Sequence, residues 1–194
     1  VTPMIEIRWH GRGGQGAKTV SQLLAGAALR RGRYVQAFPE YGPERSGAPM
    51  KAFNRLDTKE IRLHCSVYEP DIVVVLDPTL LHAPEVRVTE GLKRHGVLLV
   101  NTAQTPEEIR ALTGFSGKII TLDAEALARS VGARFSNVVM LGAVTRVLGE
   151  ISLEDVEREF QNAFGEKLLA TNIAALRAGF AAVDASAEKS EASL

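Results

Sequence analysis

A glycine-rich turn, Gly11-Arg12-Gly13-Gly14-Gln15-Gly16, separates two segments of different periodicity. Before it, Ile5-Glu6-Ile7-Arg8-Trp9 alternates apolar and polar residues, the period of a half-buried strand. After it, Leu23, Leu24, Ala27 and Ala28 recur at helical spacing up to Gly32, a residue suited to a helix C-terminus. Strand one is expected from Met4 to Trp9. A second strand is expected from Tyr34 to Phe38, ended by Pro39. This strand–turn–helix–strand order opens a wound α/β sheet.

Glycines in such a turn permit positive φ and close backbone approach, and the helix N-terminus offers N–H groups to an anion. Gly11-x-Gly13-x-x-Gly16 has the dinucleotide-binding spacing. An acid about 20 residues further on should end strand two, but Gln36-Ala37-Phe38 stand there and Glu40 lies beyond Pro39. Against the phosphate-loop pattern the run to Lys18 has one residue too many, which turns the lysine off the phosphate face. The turn is therefore part of two motifs and the whole of neither. An anion or cofactor-phosphate role, with Arg12 and Gln15 as extra donors, stands against a plain turn that packs a helix on a sheet.

Glu40 to Pro49 holds two glycines and two prolines, so it continues neither a helix nor a central strand. It also carries Tyr41 and Arg45, and long loops of this kind are often functional. Arg45 is expected beside the glycine turn, since ligands of open α/β sheets bind at the C-terminal strand ends. The bland alternative is a solvated Glu44/Arg45 pair. Asn101 is either a residue of the same crevice or a simple strand terminator.

Further along, Met50 to Leu56 and Glu60 to His64 flank Asp57-Thr58-Lys59 and read as a β-hairpin, so a mixed sheet is expected. Asp71 to Asp77 and Gly96 to Asn101 are buried strands, with Asp77 capping the turn at Pro78. Val86 to Arg94 suits a short helix, Pro106 to Leu112 another, and Lys118 to Leu122 a strand. A helix follows from Ala124. Asn137 to Leu148 is apolar almost all round, hence a buried helix. Ser152 N-caps the next one, and Leu168 to Val183 is the last amphipathic segment. The expected fold is α/β, a three-layer wound domain with a mixed, mainly parallel sheet. Residues 1–183 form a single domain and 184–194 a flexible tail.

Several function classes are excluded. Lys plus Arg and Asp plus Glu balance at 23 each, which disfavours a broad nucleic-acid surface. Cys65 is the only cysteine, so there is no internal disulfide and no thiol set for an iron–sulfur cluster. As a lone thiol it is expected to serve packing. The four histidines lack metal-ligand spacing. No apolar run approaches the ~18 residues of a membrane span. The start runs straight into a strand rather than a signal peptide, so a cytoplasmic location is expected. No nucleophile elbow or zinc-protease helix is present, and no catalytic residue is assigned.

Taken in order, Gly11 to Gly16, Ala37 to Gly42, Tyr41 to Pro49, Asp71 to Pro78 and Val100-Asn101 resemble the gamma subunit of pyruvate/2-oxoacid:ferredoxin oxidoreductases, pyruvate synthase gamma chains most of all. The likeness runs from about Glu6 to Gly179 and takes in Asn137 to Gly142 and Asn172 to Gly179. It implies a subunit of a complex that oxidatively decarboxylates a 2-oxoacid, pyruvate in the first place, to acyl-CoA. That complex would use thiamine diphosphate, Mg, [4Fe-4S] clusters and coenzyme A, none held by this chain alone. Alpha, beta and delta subunits, or fused equivalents, and ferredoxin are the implied partners, with no nucleic acid and no membrane. The family's gamma domain is associated with coenzyme A, whose pyrophosphate would suit Arg12, Arg45 and the helix N–H groups. The candidate cofactor-binding set is Gly11, Arg12, Gly13, Gly14, Gln15, Gly16, Tyr41, Arg45, Ser46, Gly47 and Asn101. Many relatives have Arg-Gly-Gly where this chain has Arg45-Ser46-Gly47. The alternatives are an independent nucleotide-binding oxidoreductase of the wound α/β class and a purely structural interaction subunit.

Overall fold

The structure, a computed structural model, describes the backbone of residues 4–41 and 47–191, with side chains up to residue 184 other than that of Tyr41. Strand β1 (Ile5–Arg12) leads into helix α1 (Ala17–Arg30) and back to β2 (Tyr34–Tyr41). Then come β3 (Pro49–Asp57), β4 (Ile72–Val75), a 3₁₀ turn over Pro78–His82, and β5 (Val97–Asn101). The chain continues through α2 (Pro106–Thr113), β6 (Lys118–Leu122), α3 (Ala124–Ser130), α4 (Asn137–Leu148), α5 (Leu153–Ala163) and α6 (Glu166–Glu191).

The six strands lie in the order β2-β3-β1-β4-β5-β6. Only β3 runs against its neighbours; the pairs β1–β4, β4–β5 and β5–β6 are parallel. Alternate residues of each strand face opposite layers. Ile7, Trp9, Val74 and Leu99 pack with Val20, Leu24, Met140 and Leu176 from the helices on one side. Val73, Val75, Leu98 and Val100 meet Leu80, Ile109 and Phe115 on the other. Each such buried side chain contributes about 1.5–3 kcal/mol relative to exposure. The buried indole N–H of Trp9 donates to Asn54 Oδ1 at 2.8 Å, and Asn54 Nδ2 donates to the Ser21 carbonyl at 2.8 Å, so α1 is tied to the sheet without an unpaired polar group. Arg30, Arg31 and Arg33 at the end of α1 pair with Glu159, Asp155 and Glu150 at and before α5.

Because α1 carries the chain from β1 to β2 over one face, while the 3₁₀ turn and α2 cross the other, the winding reverses between β1 and β4. Ligand crevices of open α/β sheets form at such a reversal.

Five local expectations need correcting. Strand one does not stop at Trp9: β3 pairs it as far as Gly11 with Met50 and Arg12 with Pro49. Nor does Pro39 end strand two. It lies opposite Ala52 within β2, an edge strand, where a missing N–H costs no ladder bond. The hairpin partner of β3 is β2, not residues 60–64. With both edges of β3 taken by β1 and β2, residues 60–64 form an irregular strap, held where Gln36 donates to the Leu63 carbonyl and Arg55 to the Ser66 carbonyl. Val86 to Arg94 is a series of turns rather than a helix, and the buried Arg8 guanidinium takes the carbonyls of Val88 (3.0 Å) and Glu90 (2.6 Å) that a helix would need. Cys65 is exposed on the strap instead of packed.

Candidate functional site

At the winding reversal the first glycine, Gly11, belongs to β1, and the turn proper holds α1 to the ends of neighbouring strands. Gly16, with φ of 79°, is the N-cap of α1 and has no side chain to cap it. The left-handed backbone there favours glycine, and a Cβ would displace the Asn137 side-chain amide at the start of α4. Gln15 folds back so that its Oε1 accepts from the Arg12 N–H at 2.7 Å while its Nε2 donates to Asp77 Oδ2 at 2.8 Å. The Arg12 guanidinium lies 3.2 Å from Asp77 Oδ2, donates to Thr79 Oγ1 at 3.0 Å, and reaches the Gly47 carbonyl at 3.2 Å. The Gly13 N–H donates to the Ala48 carbonyl at 3.0 Å, so the residue before β3 is fastened to the glycine turn.

Asp77 follows β4 and caps the 3₁₀ turn, as its place before Pro78 promised: the Thr79 N–H and hydroxyl donate to its Oδ1 at 2.9 and 2.6 Å. Partial burial pushes its carboxyl up. The hydrogen bonds from Thr79 and Gln15, with the charge of Arg12, outweigh that and hold it below the usual carboxylate range.

Beside this cluster runs a crevice of about 350 Å³, whose polar walls include Gln15, Asp77, Asn101, Asp123 and Glu125. Asp123 caps α3 through the Ala126 N–H at 2.8 Å, and Glu125 accepts from the Ser136 hydroxyl. The Asn101 amide is used at both ends, donating to the Leu76 carbonyl at 3.0 Å and accepting from the Ala124 N–H at 2.9 Å. Its observed bonds therefore terminate a strand and start a helix. A second hollow, about 210 Å³, lies between Gly14, Gln15 and the start of α4, under Arg134 and the exposed Phe135, whose ring sits 5.0 Å from the Arg134 guanidinium carbon.

The structure thus brings Gly11 to Gly16, Gly47 and Asn101 to one strand edge. The backbone of Tyr41 pairs with Met50 at the end of β2, while its side chain, Arg45 and Ser46 lie outside the described residues. Sequence reasoning missed Thr79, Glu125, Arg134 and Phe135 as neighbours of the turn. The one signal for the last pair was an aromatic next to an arginine in a connector opened by Gly132.

The dinucleotide reading loses support from topology as well as from its absent acid. With β3 inserted between β1 and β2, the end of strand two stands two strand spacings, ~10 Å, from the glycine turn. Gln36 in the acid's place bonds to Arg55 and to the Leu63 carbonyl. Lys18 is exposed on α1. Among the described residues no three His, Cys, Asp or Glu side chains gather as metal ligands, and no helix is long and apolar enough to cross a membrane.

On the far face of β1, Arg8 and His10 are buried together. Arg8 Nε donates to His10 Nε2 at 3.0 Å; burial, then the charges of Arg8 and Lys51, lower the imidazole's pKa to about 3. Arg55, also buried, pairs with Glu6 at 2.7 Å and donates to Gln36.

Comparison with known proteins gives this geometry its setting. Residues 6–182 match the family model for pyruvate ferredoxin/flavodoxin oxidoreductase. The chain is 50% identical over 186 residues to the pyruvate synthase subunit PorC of Thermotoga maritima, covering 93% of this chain and 95% of that one. It is 49% identical over 170 residues to the pyruvate/ketoisovalerate oxidoreductases common subunit gamma of Thermococcus kodakarensis, with 84% and 91% covered. The crystal structure of pyruvate oxidoreductase subunit PORC from Thermotoga maritima superposes with a TM-score of 0.82 at 48% identity, over 92% of this chain and 96% of that one. The fold recurs in a 2-oxoglutarate:ferredoxin oxidoreductase from Magnetococcus marinus, with a TM-score of 0.77 at 22% identity, where 95% of this chain matches 32% of the longer one. By the match along nearly its whole length, the chain belongs to the pyruvate ferredoxin/flavodoxin oxidoreductase family.

Proposed function

We propose that this chain is the gamma subunit of a heteromeric 2-oxoacid:ferredoxin oxidoreductase whose 2-oxoacid is pyruvate. The observation that carries this reading is the 50% identity, over almost the full length of both chains, to a pyruvate synthase subunit. The complex oxidises the 2-oxoacid with loss of CO2, passes two electrons to ferredoxin, and transfers the acyl group to coenzyme A. Thiamine diphosphate with Mg and the [4Fe-4S] clusters belong to the alpha, beta and delta partners. In support, this chain has a single cysteine, too few to ligate a cluster.

The chain's own task is auxiliary: it completes the assembly and presents the 42–48 loop toward coenzyme A, with Arg45 as the cation that meets a phosphate. Arg12 supports this indirectly by gripping the loop's end at Gly47. The complex works in the cytoplasm. The test is purification of the tagged chain from its own cells without oxygen, followed by identification of the chains that accompany it. Thiamine- and iron–sulfur-bearing partners with pyruvate-dependent ferredoxin reduction are expected. A lone homo-oligomer with turnover of its own would overturn the reading.

A further inference from the structure

We infer that the outer edge of β2 is a docking surface for a second copy of this chain, which adds its own β2 antiparallel, centred on Gln36, and so continues the sheet across a two-fold axis. The inference stands on the sheet alone and does not depend on the assignment as a gamma subunit.

β2 is one edge of the sheet, and the register decides which of its residues turn outward. The Glu6 and His10 carbonyls accept from the Asp71 and Leu76 N–H groups, so even-numbered residues of β1 bond toward β4 and odd-numbered ones toward β3. Carried across β3, this parity turns Gln36 and Phe38 inward to Arg55 and Phe53, and Val35, Ala37 and Pro39 outward. Among the described residues no group bonds to the outer N–H and C=O of Val35 or Ala37. Sheet edges are commonly blunted by a bulge, a lysine or short length. β2 has none of these: it pairs with β3 without a break over its eight residues and holds no lysine or arginine. Its one guard is Pro39, which has no N–H to give. Exposed apolar side chains gather at the first half of the strand. Tyr34 opens it, Leu63 is the strap residue whose carbonyl Gln36 holds, and Leu29 lies in the last turn of α1, which leads into it.

Any extended strand could meet these main-chain groups; the match of the edge to itself selects a second copy. With the two-fold axis at Gln36, Val35 lies opposite the partner's Ala37 and exchanges both N–H···O=C bonds with it, and the symmetric pair does the same. Both free N–H groups of each copy are then satisfied, and Pro39 stays out of the ladder. An axis at Ala37 would instead set Val35 against the partner's Pro39, which has no N–H to return. The Gln36 register also lays Tyr34 across from the partner's Phe38, an aromatic pair that covers the exposed Tyr34 ring. Residues 34–38 carry no charge, so no like charges meet across the axis.

The test uses the full chain in sedimentation equilibrium, where a concentration-dependent monomer–dimer equilibrium is expected. Ala37→Pro removes an outward N–H and leaves the β3 ladder untouched, so it should raise the dimer dissociation constant about tenfold or more. Tyr34→Lys, at an exposed position, should act in the same direction and serves if the proline variant does not fold. Gln36→Cys with Cys65→Ser sets two thiols at a non-hydrogen-bonded antiparallel pair, ~4.5 Å between Cα atoms and within disulfide reach. Mild oxidation should then give a covalent dimer. Tyr34→Cys with Cys65→Ser should not, because its copies stand four residues apart, about 13 Å along the strand. A chain that stays monomeric at every concentration, a dimer that neither edge variant weakens, or cross-linking at residue 34 as ready as at residue 36 would overturn the inference. So would a monomeric chain whose Val35 and Ala37 amides are shielded from exchange only in a heteromeric assembly, since the edge would then belong to a different subunit. Where neither edge variant folds, the cross-linking pattern decides.

Discussion

His10 shows how far a residue can depart from what its neighbours in sequence suggest. In the sequence it is one of four histidines without ligand spacing, yet it is 1% exposed and accepts a hydrogen bond from a buried arginine. Burial first, then Arg8 and Lys51, lowers its pKa from 6.5 to about 3. The unfolded chain takes up a proton at this histidine below pH 6.5, and the folded chain does not until about pH 3. Stability therefore falls as pH drops through that window, by about 1.4 kcal/mol per pH unit from this one group, and by roughly 4–5 kcal/mol in the limit. His10→Gln, which keeps an acceptor for Arg8, should flatten the decline in urea-unfolding stability between pH 6.5 and 4.5. An unchanged slope would show that other groups set it. The depressed carboxyls of Asp77 and Asp155 act lower, losing their contributions only as pH falls below 3.8. Burial of His10 was illegible because what encloses it is assembled from afar: β3 pairs with it through Lys51, and the carbonyls of residues 88 and 90 hold the guanidinium of its neighbour Arg8. Cys65 failed in the opposite sense: lone thiols usually pack, but this one rides on a strap that no local pattern announced.

At the scale of elements, local chemistry was the reliable guide. Ser152 caps α5 and forms a capping box with Asp155, and α4 begins at Asn137 and ends at Leu148 as its apolar run predicted. What that apolar run could not say is which helix it meets. The partner is α6, and the two backbones touch at paired glycines. A Cβ on Gly142 would stand 2.0 Å from the Leu176 carbonyl oxygen, and one on Gly179 would stand 1.8 Å from that of Val139. Neither neighbour is a flexible side chain, so the helices must separate and their buried contacts loosen. Gly142→Ala and Gly179→Ala should each cost about 1–3 kcal/mol in urea unfolding. Gly165→Ala, with open space around it, should stay within about 0.5 kcal/mol. Equal effects at all three sites would refute close packing as the reason for the first two. The elements misread, the 60–64 strand and the 86–94 helix, had acceptable local patterns. They lost because β3 had no free edge and because Arg8 claimed the carbonyls of Val88 and Glu90.

For the whole molecule, the division of labour lies between this chain and its proposed partners. If the 42–48 loop meets coenzyme A, Arg45→Ala in the assembled enzyme should raise the coenzyme A requirement about tenfold, the loss of one charge-assisted contact. Oxoacid-dependent decarboxylation should stay largely intact. Unchanged coenzyme A kinetics would remove Arg45 from that role while leaving the family membership untouched. The amino-acid sequence by itself determined the α/β class, most helix boundaries and the want of a thiol set for clusters, which follow from periodicity, capping and composition. It carried the family through the resemblance of several motifs in order. The mixed sheet was expected as well, but from a hairpin with residues 60–64 in place of the β2–β3 pair that forms. Only the tertiary structure decided that β3 enters between β1 and β2, which removes the second strand from reach of the glycine turn. It likewise decided that Arg12 and Gln15 turn to Asp77. That carboxylate lies more than sixty positions along the chain, and partners so distant in sequence are chosen by which strands become neighbours, a choice that the whole core makes at once.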